Sequence, residues 1–378
     1  MNPIRKKIEH SKKTPNNKES PNNGLSNGVN NFAKEFMDKR ILVTGGTGSI
    51  GSEIVRQLIP FKPRSIRVFA RGEHAHHKFR QELGFEQEHP VRFIVGDIRD
   101  KNRLRLAMED VDVVFHAAAM KHVDICDNDP FEAVATNIIG TQNVIDVARE
   151  FDVGKVVAIS TDKAVNPEGV LGVSKLMAEK LILNSYYYRG NRKTQYTCVR
   201  FGNVLGSSGS ILPLFKNQII KNGYVTVTDP EMTRFVMTIP QAVGLVLRAA
   251  TMTKGQEVFV LKMPAVKLGS LVDCAIKHYS DISGKKPSDI KKKVIGLRKG
   301  EKKHEELLTR HEAGSVLETK DMYILTPRED VWGYDHKSRY AGKLKKASRG
   351  FSSEFAKKLK QKDILKILKE IDGKINIA

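Results

Sequence analysis

A chain of 378 residues, 40% hydrophobic and 28% charged, is long enough for one large or two ordinary domains with a sizeable core and a cleft. No apolar run reaches the roughly 18 residues needed to span a bilayer, and the opening "MNPIRKKIEHSKKTPNNKESPNN" lacks the apolar core of a secretion signal. The net charge of +21 suits nucleic acid, an anionic surface or phosphorylated small molecules, yet no nucleic-acid motif accompanies it, so nucleic acid is not expected as a partner. The cysteines Cys126, Cys198 and Cys274 are widely spaced and odd in number. They indicate a reducing compartment, with the cytoplasm as the default, and give no metal pattern.

Residues 1–38 are rich in Asn, Lys, Ser and Pro and cannot bury enough apolar surface to offset their ordering entropy. They are expected to form a disordered basic tail. From Lys39 onward, strand and helix patterns alternate. "RILVTGG" is an apolar strand entering glycines, and "SEIVRQLIPF" has helical spacing at Ile54, Leu58 and Ile59. "SIRVFA", "VRFIVGD", "VDVVFHAAA" and "KVVAIS" are further strands, separated by "HKFRQEL", "RLRLAMED" and the long "PFEAVATNIIGTQNVIDVAREF" as helices. Strands apolar throughout and alternating with helices predict a doubly wound parallel α/β sheet, a Rossmann domain over 39–206. Beyond Gly206 the pattern loosens, which predicts a smaller interleaved substrate domain over 207–330 with strands returning to the main sheet. Residues 331–378 read as a basic C-terminal extension. Its end, "FAKKLKQKDILKILKEI", gathers Ile364, Leu365, Ile367, Leu368 and Ile371 near one helical face. Packing on its own domain or a partner subunit is favoured over lying on a membrane, although the basic ends leave peripheral membrane association open.

"VTGGTGSIGSE" places Gly45, Gly48 and Gly51 at three-residue spacing between strand and helix, with Thr47, Ser49 and Ile50 among them. Such glycines permit a tight turn, close approach to a pyrophosphate and close helix–strand packing, so the loop predicts a dinucleotide site. The second strand ends in Ala70 and Arg71 where a carboxylate would receive the adenosine ribose of NAD. The missing acid and available guanidinium favour NADP. Asp97 and Ile98 end the third strand near an expected adenine, and Ala117 and Ala118 in "HAAA" let a cofactor lie close. His74, His76 and His77 read as a solvated helix start rather than a metal site.

After the fifth strand comes "STDKAVNPEGVLGVSK". Asp162 and Lys163 end a strand where this type of sheet places its ligand crevice. Lys175 follows Leu171 by four residues, which puts both on one helical face.

Together the glycine loop, "GDIRD", "HAAAMKHV", "TNIIGTQNV", "STDKAVNP" and the placement of Lys175 resemble the extended short-chain dehydrogenase/reductases. "RFGNVLGSSGSILPLF", "MTRF" and "GLRKGEKKHEEL" narrow the likeness to the polysaccharide-biosynthesis branch, the inverting UDP-N-acetylglucosamine 4,6-dehydratases. It runs from about Arg40 to Pro327. The resemblance implies oxidation of the sugar at C4 by NADP⁺, loss of the C5 proton and the C6 hydroxyl, return of the hydride to C6, and reprotonation at C5 from the other face. It implies Lys163 as the C5 base, Asp162 as the acid at C6, and Lys175 on the nicotinamide ribose. A base needs an unprotonated lysine, so burial or a nearby cation is expected to depress Lys163. Most relatives have tyrosine where this chain has Leu171, which carries no proton. Thr161, a water, or Lys175 acting through the ribose are the substitutes. The resemblance also implies that Asn203, Arg234, Arg298 and Glu301 hold the UDP half and that Lys121 and His122 face the sugar.

A UDP-sugar 4-epimerase is the rival enzyme; it would need neither C5 base nor C6 acid. A nucleotide-sugar-binding protein with impaired catalysis is the rival of another class, supported by Leu171 alone. A homo-oligomer is expected from the resemblance.

Overall fold

The computed structural model describes residues 32–84, 89–188, 190–207, 209–298, 300–313, 316–326, 345–346 and 351–375. Six parallel strands form its centre: β1 (Arg40–Thr44), β2 (Ser65–Ala70), β3 (Val91–Val95), β4 (Val113–His116), β5 (Lys155–Thr161) and β6 (Gln195–Phe201). They lie in the order 3-2-1-4-5-6. Val258–Leu261 joins β6 in parallel, and Met322–Leu325, Val316–Glu318 and Lys345–Lys346 then add antiparallel, giving ten strands. The expected five strands before Thr161 are all present. Their apolar runs are explained by burial on both faces: Ile41, Leu42, Val43, Val156 and Val157 are fully inaccessible.

The chain leaves β1 toward one side and arrives at β4 from the other, so a crevice opens where the C-terminal ends Thr44 and His116 stand side by side. The long helix expected over "PFEAVATNIIGTQNVIDVAREF" forms, but its middle turn, Val134–Ile139, is a π-helix between Pro130–Ala133 and Gly140–Glu150. Single π-turns of this kind cluster near functional sites because they re-aim side chains. Here the turn presents Asn137, whose Oδ1 accepts from Met120 N at 2.8 Å and whose Nδ2 donates to Ser174 Oγ at 3.0 Å.

Beyond Phe201 a three-stranded sheet (Ala265–Lys267, Thr233–Thr238, Asn203–Leu205) and a second core around Phe215, Ile219, Leu271 and Tyr279 form the smaller lobe. The structure departs from the sequence expectation at both ends. Residues 32–36 are helical, and Phe36 is fully buried against Phe61 and Phe115, so the chain is ordered from before Lys39. Residues 1–31 lie outside the described residues. At the other end, 351–375 are part of the fold rather than an extension. Phe351–Ser352 pairs with Glu306–Leu308, and helix Gln361–Ile375 packs Ile364 and Leu368 onto helix Leu268–Ser283. The basic stretch 327–344 lies outside the described residues. His76 also differs from expectation: it is buried, bonded to Ala70 O at 2.9 Å and set edge-on to Phe93.

Candidate active site

One cleft of about 860 Å³ runs along the C-terminal ends of the strands. Its first wall is the glycine loop. Gly45 has φ +65°, and a Cβ there would lie 2.7 Å from the backbone of Ala118; a Cβ on Gly51 would lie 2.3 Å from Gly45 O. Only glycine allows β1, β4 and helix Ser49–Leu58 to meet this closely. Gly48 caps that helix without a side-chain bond, so its positive end opens on the cleft. A dinucleotide's pyrophosphate fits this arrangement. Thr47, Ser49, Ile50, Arg71, Asp97, Ile98, Ala117 and Ala118 all line the same cleft.

Arg71 is more than half exposed and lies 3.5 Å from Glu132 and 3.9 Å from Asp97. Asp97 is also paired with Arg99 at 2.5 Å. Burial raises the Asp97 carboxyl, but bonds from Arg99 outweigh it and hold it below the usual range.

Behind the loop, Thr44, His116 and Thr141 form a buried chain. Thr141 donates its hydroxyl hydrogen to Asn137 O at 2.6 Å, so it accepts from His116 Nε2 at 3.0 Å. His116 Nδ1 therefore accepts from Thr44 Oγ1 at 2.7 Å. Burial, with the nearby Lys175 charge, pushes the imidazole down to about 3, so it stays neutral. Lys175 itself donates to Ile159 O at 2.7 Å, and burial depresses its ammonium. Leu171 and Lys175 share the cleft-facing side of helix Val170–Asn184. Leu171 packs into a small apolar cluster with Cys126 and Ala133, beside Met120, Val123 and Val170.

The end of the cleft with paired ionisable groups lies past β5. Thr161 and Lys163 line the cleft; Asp162 is fully buried behind them. Asp162 Oδ1 accepts from Thr161 Oγ1 at 2.9 Å and Lys163 Nζ at 3.1 Å. Its Oδ2 is buried without a hydrogen-bond partner among the described residues. A second carboxylate, Glu305, stands 3.5 Å from Lys163 Nζ, and its Oε2 is likewise unpartnered. Burial lowers the Lys163 ammonium, but Asp162 and Glu305 outweigh it and raise the group above its ordinary value. This overturns the expectation of a depressed lysine: the adjacent Asp162, and after it Glu305, raise the group more than burial lowers it.

Lys121, His122, Asn203, Arg298 and Glu301 line the cleft, and Arg298 N donates to Glu301 Oε2 at 3.4 Å. Arg234 is not on its wall. Its guanidinium donates to Thr233 O at 2.9 Å and Lys303 O at 3.2 Å, and its charge bears on Lys163 and Glu305 from behind.

Residues 41–327 match the model of the polysaccharide biosynthesis protein family. The chain belongs to that family. It is an enzyme of the extended short-chain dehydrogenase/reductase type. The crystal structure of Pen from Bacillus thuringiensis superposes with a TM-score of 0.82 at 40% identity, covering 89% of this chain and 98% of that one. The inverting UDP-N-acetylglucosamine 4,6-dehydratase of Campylobacter jejuni is 38% identical over 77% of this chain and 84% of its own. A protein of Rickettsia canadensis named UDP-glucose 4-epimerase is also 38% identical, over 76% of this chain and 83% of its own. A 50% identical relative from Methanocaldococcus jannaschii, covering 91% of this chain and 98% of its own, is named an uncharacterised membrane protein. Among the described residues no helix is long and apolar enough to cross a membrane.

Within the family-matched region, Glu305 is the site residue that the sequence reading passed over. "HEELL" carried a signal for it: Glu305 alternates with Leu307, and both are buried where a strand pattern would place a core face. The Thr44–His116–Thr141 chain joins three segments and has no local signal.

Proposed function

We propose that this polysaccharide-biosynthesis family member is an NADP-dependent UDP-N-acetylglucosamine 4,6-dehydratase that inverts C5, working in the cytoplasm to supply nucleotide sugars for surface glycans. The observation that carries the reading is Lys163 at the cleft wall with Asp162 and Glu305 against it. Oxidation and reduction at C4 alone need no such group of proton carriers, whereas loss of water across C5 and C6 needs a base and an acid. When bound, the dinucleotide supplies reversible hydride acceptance.

The chain's own residues do the rest. Gly45, Gly48 and the start of helix Ser49–Leu58 receive the pyrophosphate, and Arg71 receives the 2′-phosphate by leaving Glu132 and Asp97. Arg298 and Glu301 hold the diphosphate and ribose of the UDP half, with Asn203 beside them. Lys163 removes the C5 proton. Asp162 lies behind the wall, so its proton reaches the departing C6 hydroxyl through Thr161 Oγ1, which bonds Asp162 and faces the cleft. With Leu171 in place of a tyrosine, Thr161 also relays the C4 hydroxyl proton: as it accepts that proton it gives its own to Asp162, which later returns one to the C6 hydroxyl.

Purified protein incubated with UDP-N-acetylglucosamine in D₂O tests this by NMR and mass spectrometry. The expected product is a 4-keto-6-deoxy sugar with deuterium at an inverted C5. UDP-N-acetylgalactosamine without deuterium would establish a 4-epimerase instead. Tight binding of NADP⁺ and UDP without turnover would indicate a binding protein.

A further inference from the structure

Glu305 is buried, negatively charged in its ionised form, and close to Asp162, which is also acidic. Such a placement is costly unless the group is used or neutralised. Its backbone is clamped from the far end of the chain. Glu305 N donates to Ser353 Oγ at 2.8 Å, and Ser353 N donates to Glu305 O at 2.7 Å. Ser353 Oγ also meets Thr233 Oγ1 at 2.7 Å, and Thr233 Oγ1 meets His304 Nδ1 at 2.8 Å. This lattice leaves the Glu305 carboxylate aimed at Lys163 Nζ, with one oxygen 3.5 Å away and the other without a partner among the described residues.

Resting on the dehydratase reading, we propose that Glu305 is the proton store of Lys163: its carboxylate takes the ammonium proton, leaves a free amine at the cleft, and returns the proton as the cycle closes. In that step an Nζ–H bond breaks, an Oε1–H bond forms and the electron pair stays on nitrogen. The amine then takes the C5 proton, and the C–H electrons pass into the enolate of the 4-keto sugar; that proton leaves Lys163 for water at the cleft, and Glu305 returns the stored proton to the freed amine. Glu305 acts through Lys163 and is a positioning residue rather than one that touches substrate.

Charge supports the geometry. Burial and Asp162 hold the Glu305 carboxyl above its usual range, against the opposing pull of Lys163, Arg234 and Lys302. Lys163 is raised by two carboxylates against its own burial. Protonating Glu305 removes one of them, so that burial and Arg234 are opposed by Asp162 alone. The groups facing Glu305 are Asp162 and Lys163 at the end of β5, Arg234 from Thr233–Thr238, and Lys302 and His304 of its own segment. Asp162 is the other carboxylate on Lys163, and its Oδ1 already accepts from both Thr161 and Lys163.

The test is the pH profile of kcat with UDP-N-acetylglucosamine in wild type, Glu305→Gln and Glu305→Asp. Internal transfer leaves the number of bound protons unchanged, so the wild type is flat through neutral pH. Glu305→Gln must lose the lysine proton to water; its kcat falls roughly 10²-fold at neutral pH and rises about tenfold per pH unit toward alkaline pH. Glu305→Asp keeps the flat shape at a lower level. A Glu305→Gln profile with the wild-type shape, whether lowered or not, overturns the proposal.

Infrared difference spectra on the substrate-free protein provide a readout that does not depend on the reaction. The wild type should show the carbonyl band of a buried protonated acid at a pH above the ordinary glutamate range, and Glu305→Gln should lack it. Identical spectra overturn the proton store even if the dehydratase is established; the band without turnover leaves the store standing and removes the dehydratase.

Discussion

The dinucleotide half of the cleft is walled by backbone. Gly45, Gly51 and Ala118 approach so closely that no side chain fits between them, and the charge offered to a ligand is the end of a helix. The opposite half is walled by the side chains of Thr161 and Lys163 at the end of β5 and backed by buried groups from separate parts of the chain: Asp162, Glu305 before a short strand, and Ser353 behind it. The first half is rigid because its parts are contiguous and sterically locked. The second is tunable because each ionisable group sets its neighbour's charge. The comparison predicts that substitutions in the first half harm folding and cofactor binding, while those in the second change rates and pH profiles.

The largest effect belongs to the side-chain half. Lys163→Met should lower kcat by roughly 10³-fold, the scale of a lost general base, while affinities for NADP⁺ and UDP change little. Calorimetric titration beside the product assay checks this. Cofactor affinity falling in step with kcat would mean that the two halves are not separable.

The backbone half breaks differently. Gly45→Ala combines a left-handed residue with a Cβ 2.7 Å from Ala118 backbone. It should cost about 3 kcal/mol of stability and weaken NADP⁺ binding in whatever folds. Urea unfolding and fluorescence titration measure both. An unchanged Gly45→Ala protein would mean that the loop has the freedom assigned here only to the other half.

His116 sits between the two. Its folded value of about 3 lies below the unfolded 6.5, so the unfolded chain binds more protons between those limits. Stability conferred by the neutral ring is therefore whole above about pH 6.5 and is lost as pH falls toward 3. His116→Gln should start about 1 kcal/mol less stable at neutral pH, from imperfect bonds to Thr44 and Thr141. It should then lose less on acidification, by up to a few kcal/mol. Urea midpoints measured between about pH 4 and 7 give both slopes. Parallel slopes would show that the buried ring carries no acid sensitivity.

What was legible in the sequence divides along the same line. The sheet, its first five strands and the glycine loop are local patterns, and local patterns survive translation into structure. Asp162, Lys163 and Lys175 were legible because they share one stretch. The charge state of Lys163 was only half legible: Asp162, the stronger raising influence, is its neighbour in the chain, but Glu305 lies more than 140 residues away. At the N-terminal side composition misleads because it describes an average: Phe36, in a polar tail, sits in the hydrophobic core. At the other end the helical spacing of Ile364 and Leu368 predicts the face that packs on the chain's own domain. The resemblance implies that Arg234 holds the UDP half, yet backbone carbonyls hold its guanidinium behind the wall.

Leu171→Tyr should have the smallest effect on rate, and it tests whether the missing tyrosine weakened the site. If this chain were a relic, restoring the phenol one turn before Lys175 would raise turnover well above tenfold, given the usual worth of a positioned acid–base group. The surroundings argue otherwise. Leu171 is 4% exposed and its neighbours Cys126, Ala133, Met120, Val123 and Val170 are apolar, so the site has been repacked for a hydrocarbon. Lys175 Nζ is bonded to Ile159 O at 2.7 Å rather than left facing an absent phenol. A tyrosine there must push into that cluster at a cost of about 1–3 kcal/mol, and Thr161 already offers a hydroxyl at the cleft. Turnover should therefore change by less than about threefold, with a lowered thermal midpoint. A gain beyond tenfold would show that Thr161 does not carry the C4 proton and that the natural site is impaired.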